Sequence, residues 1–534
     1  MTAITAPSLA DLPFHPFAGQ DIRTLIAAQA TLRANHPFLV WEPFDGPDIG
    51  KTWTYAQFAD RVARIAAGLS ARGIKPGDRV LIHLDNCPEA VLAWFACAWM
   101  GAIGVTTNAK SSADELSYFA DHSRAVCAIT QPKFAELVAT SCKHVRWISV
   151  TKDDNGADAG PNRPPASHAF DAIDGDPSTL PKRAHDPVAP FSIQYTSGTT
   201  SRPKAVLWTH ANALWGARVN AEHEDLRPHD IHLVTLPLFH TNAQAYSVLA
   251  ALWVGGTCVI QPRFSASRFW PVSLKHNCTW TSVVPFCVKA LLEQPKPDAH
   301  HFRLWGSGVC EPPTDAHFKV KTLGWWGMTE TITHGIVGSP HLPNVPLSIG
   351  RCAPEYQISV RDPDGRPVRP GEQGDLFIKG VRGLSLFAEY ADNEPATREA
   401  FGPDGYFATG DRIIVGADQT LFFGDRMKDM LKVGGENVAA SEIERVIITV
   451  PGVREVAVVA RKHPMLDEVP VAFIIPQGGV AGAPPDLAAK AMAQCATMLA
   501  KFKWPVEIRL VDDMPRSTLE KVAKAELRRQ LAES

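Results

Sequence analysis

Residues 54–105 read TYAQFADRVARIAAGLSARGIKPGDRVLIHLDNCPEAVLAWFACAWMGAIGV, and two periodicities meet in them. Phe58, Val62, Ile65 and Leu69 recur at helical spacing, with Gly73 behind them as a stop signal. The turn Lys75-Pro-Gly-Asp78 leads into the apolar run Val80-Leu-Ile82, which reads as a buried strand. Asn86 stands where it can cap a helix over Glu89 to Met100, and a short strand follows at Ile103 to Val105. Strand and helix alternate in this way to about residue 150. Such alternation predicts an α/β fold with parallel strands.

Two breaks lie further along the chain. Residues 151–190 hold seven prolines and few large apolar side chains, so they predict a surface excursion rather than a core element. It is either a linker or a long loop within one domain, and the strand and helix signals that resume at 191 favour the loop. The second break comes near 424. Beyond it Glu442 to Ile448 and Asp486 to Lys501 read as helices, and Glu455 to Ala460 and Val471 to Ile475 as strands. That is enough for a small α+β domain. The expected organisation is a large domain over 1–424 and a small one over 425–534.

Composition narrows the function. Fifty-three Lys+Arg against 56 Asp+Glu leave a net charge of −3, so no excess of positive charge recommends a nucleic acid or an anionic membrane as partner. Forty-three prolines in 534 residues, about 8% against about 5% in average usage, predict many stiff loops. Ten cysteines are scattered without a C-x-x-C pair, which argues against a zinc site and a disulfide framework and for a reducing compartment. The N-terminus shows no basic segment followed by an apolar one, so no secretory signal is read there. The longest apolar stretch, Ala90 to Val105, is Gly-interrupted and short of the roughly 20 residues of a membrane span. The expectation is a cytoplasmic protein without a membrane span.

The segment richest in chemistry is Tyr195-Thr-Ser-Gly-Thr-Thr-Ser-Arg-Pro-Lys204. Hydroxyls and open backbone N–H groups can wrap a polyphosphate, and Lys204 adds a point charge beside it. The apolar run before it and the helix-like stretch after it place the loop at a strand end, where ligands of α/β folds sit. It is not a Walker A loop, since Pro203 stands where that motif needs a glycine. Taken alone, it also reads as a Ser/Thr-rich turn.

With its companions the segment resembles the phosphate loop of the adenylate-forming superfamily, which includes acyl-CoA synthetases, peptide-synthetase adenylation domains and luciferases. The companions follow in order: Pro237-Leu-Phe-His240, Trp326-Gly-Met-Thr-Glu330, Thr409-Gly-Asp411, Gly424-Asp-Arg426-Met-Lys428-Asp429 running on through Gly434-Gly435-Glu436-Asn437 to Ser441-Glu-Ile-Glu444, and Pro515-Arg-Ser-Thr-Leu-Glu-Lys521. Six ordered matches over nearly the whole chain are specific where any single one is weak. Within the superfamily, the stretch from His240 to Trp270 looks most like the carnitine/crotonobetaine and medium-chain acyl-CoA ligase branch.

The resemblance implies a role for each matched residue. Thr196, Ser197, Gly198, Thr199, Thr200 and Lys204 hold the phosphates of ATP. Asp411 grips the ribose diol, as a carboxylate can accept from two hydroxyls at once, and Arg426 reaches the same sugar. Glu330, next to Thr329, is the Mg²⁺ ligand, in keeping with a hard cation that takes one or two protein carboxylates. His240 borders the acyl pocket and gates it, although a lone histidine in that setting also reads as core packing. Trp325, Trp326 and Gly327 supply an aromatic surface for adenine, with Gly306 and Ser307 on the other side of the base. Lys428 is the hinge of a mobile C-terminal domain. Rotation there exchanges the catalytic Lys521 for the Gly434–Asn437 loop, whose glycines leave room for the pantetheine arm of coenzyme A.

The implied reaction has two steps. A carboxylate attacks the α-phosphate of Mg²⁺-ATP to give an acyl-adenylate and pyrophosphate, and the thiol of coenzyme A then displaces AMP. The expected partners are a small carboxylic acid and coenzyme A; a homodimer is left open. Ser201 and Ala205 stand where the family commonly has glycines, and Leu519-Glu520 replaces Ser-Gly before Lys521. These departures keep a weakly active nucleotide-binding homologue in view. A carrier-loading adenylation module is disfavoured because residues 232–246 lack the aspartate of the amino-acid signature and the chain ends at Ser534. A luciferase-like oxidase is the third alternative.

Overall fold

The computed structural model describes residues 4, 6–44, 50–154, 157–158, 164, 167–196, 203–426, 430–433, 436–464, 466–499, 501–516 and 522–533. They form two compact units, Met1–Ile358 with Ile378–Ala408, and Ser359–Phe377 with Thr409–Ser534. The contacts divide the chain after Ala408 and not after Gly424. The reason is strand pairing: Leu421–Arg426 lies antiparallel to Phe407–Val415, with Asp411 opposite Arg426 and Val415 opposite Leu421.

Among the described residues the first unit holds two large sheets. In the eight-stranded one, Pro190–Thr196, Ile103–Thr106, Arg79–His83, Cys127–Thr130, Ile148–Val150 and Ser167–Ala169 run parallel in that order. The helix Tyr55–Ala71 begins in a capping box between Thr54 and Gln57, and buries Phe58, Val62, Ile65 and Leu69 along one stripe. The helix Pro88–Met100 is apolar nearly all round and is buried accordingly. Asn86 does not cap it. Cys87 holds the N-cap position without a side-chain bond, while the Asn86 amide donates to the Leu236 carbonyl at 2.9 Å and accepts from the Leu238 N–H at 2.7 Å. An expected cap is instead a clamp on the segment that leads to His240.

The nine-stranded sheet carries Ile231–Val234, Trp280–Ser282, Leu304–Ser307 and Lys321–Gly327 as consecutive parallel neighbours. Their C-terminal ends gather Ser307 and Gly327 at one edge, the usual place for a ligand in such sheets. The proline-rich excursion lies within the first unit. It contributes the edge strand Ser167–Ala169 and buries Phe170 and Ile173.

In the second unit, Val453–His463 and Asp467–Pro476 pair along their length. Alternate residues face opposite sides, so Val458 and Ile474 meet Ile443, Ile447 and Leu487, while Val459 and Phe473 meet Met514, Leu527 and Leu531. All ten cysteines are free, nine of them buried and Cys352 exposed. Among the described residues no helix is long and apolar enough to cross a membrane.

Four buried histidines give the first unit a pH limit. Burial holds His83 down to about 4, His210 and His232 down to about 3, and His334 well below the usual 6.5. A depressed folded-state value gives stability that is complete above the unfolded value and lost as pH falls through the window below about 6.5. Burial raises the Glu224, Glu89 and Glu311 carboxyls, which act in the opposite sense and favour the fold at low pH. The four deeply buried imidazoles, joined by the lowered His36 and His122, outweigh the three carboxyls, each titrating group being worth about 1.4 kcal/mol per pH unit. The urea midpoint of the intact chain is expected to fall between about pH 7.5 and about pH 5.5; a constant or rising midpoint would contradict this.

Candidate active site

The expected strand–loop–helix around 197–203 is a β-hairpin. Lys204–Thr209 returns antiparallel to Pro190–Thr196, with Thr196 opposite Lys204, and the helix His210–His223 starts only after it. Ala205, Val206, Leu207 and Trp208 are buried, and Val206 and Trp208 are β-prone, so the segment extends the sheet before a helix can form. Ala205 lies opposite Tyr195 inside the core, and its methyl is accommodated there.

A distant segment, Phe387 to Ala391, ties this hairpin to Glu330. Ala388 and Ala391 donate backbone N–H groups to Leu207 and Ala205, and Phe387 donates to the Glu330 carbonyl at 2.8 Å. Tyr390 then joins the two charged residues. Its hydroxyl donates to Glu330 Oε1 at 2.9 Å, and the Lys204 ammonium lies 4.7 Å from its ring centre. Burial, and next the Glu330 charge, raise the Tyr390 hydroxyl well above its ordinary range, so it remains a donor. A phenol brings no charge, so it orients the Glu330 carboxylate without neutralising it. Glu330 is 4% exposed.

Thr329 is placed by two bonds. Its carbonyl accepts from Trp208 Nε1 at 2.9 Å, and its hydroxyl is 3.2 Å from that of Thr241. His240 is half-buried, in a turn closed by its N–H to the Pro237 carbonyl and with its ring against Phe239. A π-helix, Asn242–Leu249, follows immediately. Among the described residues no group of three His, Cys, Asp or Glu could hold a metal. The oxygens of Glu330 and Thr329 suit a hard cation that takes its remaining ligands from phosphates and water.

The two tryptophans do not form one surface. Adjacent strand residues point to opposite faces, so a single base cannot rest on both Trp325 and Trp326. The Trp325 indole is parallel to His334 at 4.2 Å, nearly parallel to Trp280 at 5.8 Å and edge-on to Tyr246 at 5.5 Å. It also covers Gly306, where a Cβ would lie 1.7 Å from Cη2. Gly327 is a glycine for a similar reason, since a Cβ there would lie 2.3 Å from the Tyr246 hydroxyl oxygen. Ser307 is buried at the end of its strand.

In the second unit, Thr409-Gly-Asp411 lies within the strand Phe407–Val415 and is not a loop. Gly410 has φ +74°, Thr409 Oγ1 donates to the Leu376 carbonyl at 2.8 Å, and the Asp411 N–H donates to Thr409 Oγ1 at 3.1 Å. Asp411 is buried. Replacing it by alanine is expected to weaken ATP binding about ten- to hundredfold, the worth of hydrogen bonds to a charged acceptor. An unchanged dissociation constant in a folded variant would remove the ribose role. Ser197, Gly198, Thr199, Thr200, Lys428, Gly434, Gly435 and Lys521 lie outside the described residues, as do the side chains of Arg426 and Glu436. Arg516 and Val522, which flank 517–521, form an isolated antiparallel bridge, and Arg516 is ion-paired with Glu455 at 2.7 Å.

Residues 26–390 match the AMP-binding enzyme family, and residues 442–521 match the AMP-binding enzyme C-terminal domain. The chain belongs to the AMP-binding enzymes. Crotonobetaine/carnitine–CoA ligase of Salmonella agona is 32% identical to it over 526 residues, 96% of this chain and 99% of that one. Among solved structures, ATP-bound MatB of Rhodopseudomonas palustris superposes with a TM-score of 0.83 at 26% identity, over 95% of this chain and 98% of MatB. O-succinylbenzoate coenzyme A synthetase (MenE) of Bacillus subtilis, in complex with ATP and a magnesium ion, gives 0.80 at 25% identity over 95% and 99%.

In this AMP-binding enzyme the motif residues Lys204, Thr329 and Glu330 are brought together by residues that motif reading passes over. Tyr390 sits in an unremarked stretch, and no local pattern links it to Glu330. Thr241 meets the Thr329 hydroxyl and is itself bonded to Gln194, which is bonded to Gln244. A glutamine in the apolar strand Phe191-Ser-Ile-Gln194 is itself a signal, because a buried amide demands partners.

Proposed function

We propose that this chain, an ATP-dependent, AMP-forming acyl-CoA ligase, activates a compact carboxylic acid of the crotonobetaine or carnitine kind. The observation that carries the reaction is Tyr390, which orients Glu330 by its hydroxyl while its ring holds the Lys204 ammonium. Lys204 neutralises phosphate oxygens as pyrophosphate leaves. Glu330, beside Thr329, would hold Mg²⁺, which supplies further neutralisation of the phosphates when bound. Lys521 steers the acid carboxylate to the α-phosphate. Asp411 holds the ribose and Arg426 supports it. Adenine rests on Trp326, and Trp325 closes the space over Gly306. Rotation near Lys428 then brings the Gly434–Asn437 loop to the coenzyme A thiol.

The named substrates of the Salmonella agona relative support a small cationic acid. The test is thiol consumption with Mg²⁺-ATP and coenzyme A over a panel: crotonobetaine, carnitine, and short, medium-chain, aromatic and steroid-like acids. The betaine acids are expected to react fastest, with AMP and pyrophosphate as co-products. Preference for a medium-chain or polycyclic acid would refute the substrate class while leaving the ligase activity in place.

A further inference from the structure

A chain of five polar side chains runs through the interior of the first unit and ends at Thr329. Thr106, Gln194, Thr241 and Gln244 are buried, and Thr329 is half-buried. Gln244 Nε2 donates to Thr106 Oγ1 at 3.2 Å. Gln194 Nε2 donates to Gln244 Oε1. The Thr241 hydroxyl donates to Gln194 Oε1 at 3.0 Å and lies 3.2 Å from the Thr329 hydroxyl. The members come from two parallel strands, the residue that opens the π-helix, the π-helix itself and the turn Thr329-Glu330, so no local motif predicts their meeting. At the far end, Ile82, Ala90, Trp94, Leu238 and Phe239 line an apolar cavity that also touches Thr106 and Gln244. That wall offers the amides no hydrogen bonds, so their bonds must close within the chain.

Proton accounting gives the chain a direction. A hydroxyl has one proton and an amide oxygen only accepts. Thr241 Oγ1 is placed to donate to Thr329 Oγ1 as well as to Gln194 Oε1, so its single proton couples the two contacts. Toward Thr241 the Thr329 hydroxyl accepts, and its own proton remains for a group outside the chain. Turning both amides over would send a Gln194 Nε2 proton to Thr241 and leave the Thr241 proton wholly to Thr329.

We infer that Gln194 is a positioning residue for adenylate formation, acting through Thr241 to fix which way the Thr329 hydroxyl faces. The inference rests on the functional reading that Thr329 faces the adenylating centre. Gln194 touches no reactant; it sets which way a reacting-site hydroxyl faces.

The experiment is a double-mutant cycle of Gln194→Leu and Thr241→Val, with Thr241→Ser as the conservative control, read in each half-reaction separately. Thr241→Val is expected to slow ATP–pyrophosphate exchange about 10- to 100-fold, less than the roughly 10²–10³-fold for losing a group that meets the transition state directly. The KM for ATP should stay within about twofold, and thioester formation from supplied acyl-adenylate should be retained. Thr241→Ser should recover exchange to near wild type. Gln194→Leu should reproduce the loss, and the pair together should lose no more than either alone. Should Gln194→Leu fail to fold, as a lowered thermal midpoint would reveal, the Val and Ser variants at Thr241 carry the test alone. Full exchange in Thr241→Val, equal losses in both half-reactions, or additive losses would overturn the inference. A wild-type chain without exchange on any acid would overturn the functional reading itself, a separate and recognisable outcome.

Discussion

Glu330→Gln will lower the rate of acyl-adenylate formation by about 10²–10³-fold, the range for losing one preorganised electrostatic group at a charged transition state. The amide still accepts from the Tyr390 hydroxyl, so the fold around the site is preserved and only the charge goes. The loss should be partly recovered by raising Mg²⁺, because a weakened site fills by mass action. Thioester formation from a supplied acyl-adenylate should persist. Tyr390→Phe provides the contrast: it removes one hydrogen bond to a charged acceptor, worth about 1.5–3 kcal/mol, while the ring that carries Lys204 remains. Adenylation in Glu330→Gln at the wild-type rate, measured by pyrophosphate exchange across a Mg²⁺ titration, would remove Glu330 from the metal role.

The second large effect is expected at Lys521. Lys521→Ala should cost the adenylating step about 10²–10³-fold, since its charge matters while the acid carboxylate meets the α-phosphate. The thioester step should survive, because in the proposed reaction Gly434 to Asn437 serve that step in place of Lys521. Glu520 sharpens the test. If its carboxylate pairs with Lys521 and keeps it from the site, the alanine variant changes neither step; equal losses in both would point to a structural role. Separate assays of the two half-reactions distinguish the three outcomes.

Much of this architecture can be read from residues 54–105. The stripe Phe58, Val62, Ile65 and Leu69, with Thr54 and Gln57 before it, specifies its helix locally, and Val80 to Ile82 can only be a buried strand. Reading fails where the determining partner is far away in sequence. Lys204 to Thr209 looked like the approach to a helix. Their extended form is held by Tyr195 on one side and by Tyr390 and Glu389 on the other. Asn86 had every local feature of a cap, yet its amide satisfies Leu236 and Leu238. The motif residues were legible because their chemistry is written in their identity: a lysine after a hydroxyl-rich loop, a carboxylate after Thr329. Tyr390, Gln194 and Thr241 were not, because their contribution is a position that only the folded chain creates. Trp325 and Trp326 show the same limit. Their types suggested a base-stacking pair, and strand alternation separates them.

The most direct test of the central claim follows one oxygen atom. The acid is supplied with ¹⁸O in its carboxylate, together with Mg²⁺-ATP and coenzyme A, and the phosphate products are analysed by mass. Attack of the carboxylate on the α-phosphate, followed by displacement at the acyl carbon by the thiol, leaves one carboxylate oxygen on AMP. The account predicts ¹⁸O in AMP and none in pyrophosphate. Label in orthophosphate, with ADP as the nucleotide product, would mean an acyl-phosphate route and would contradict it.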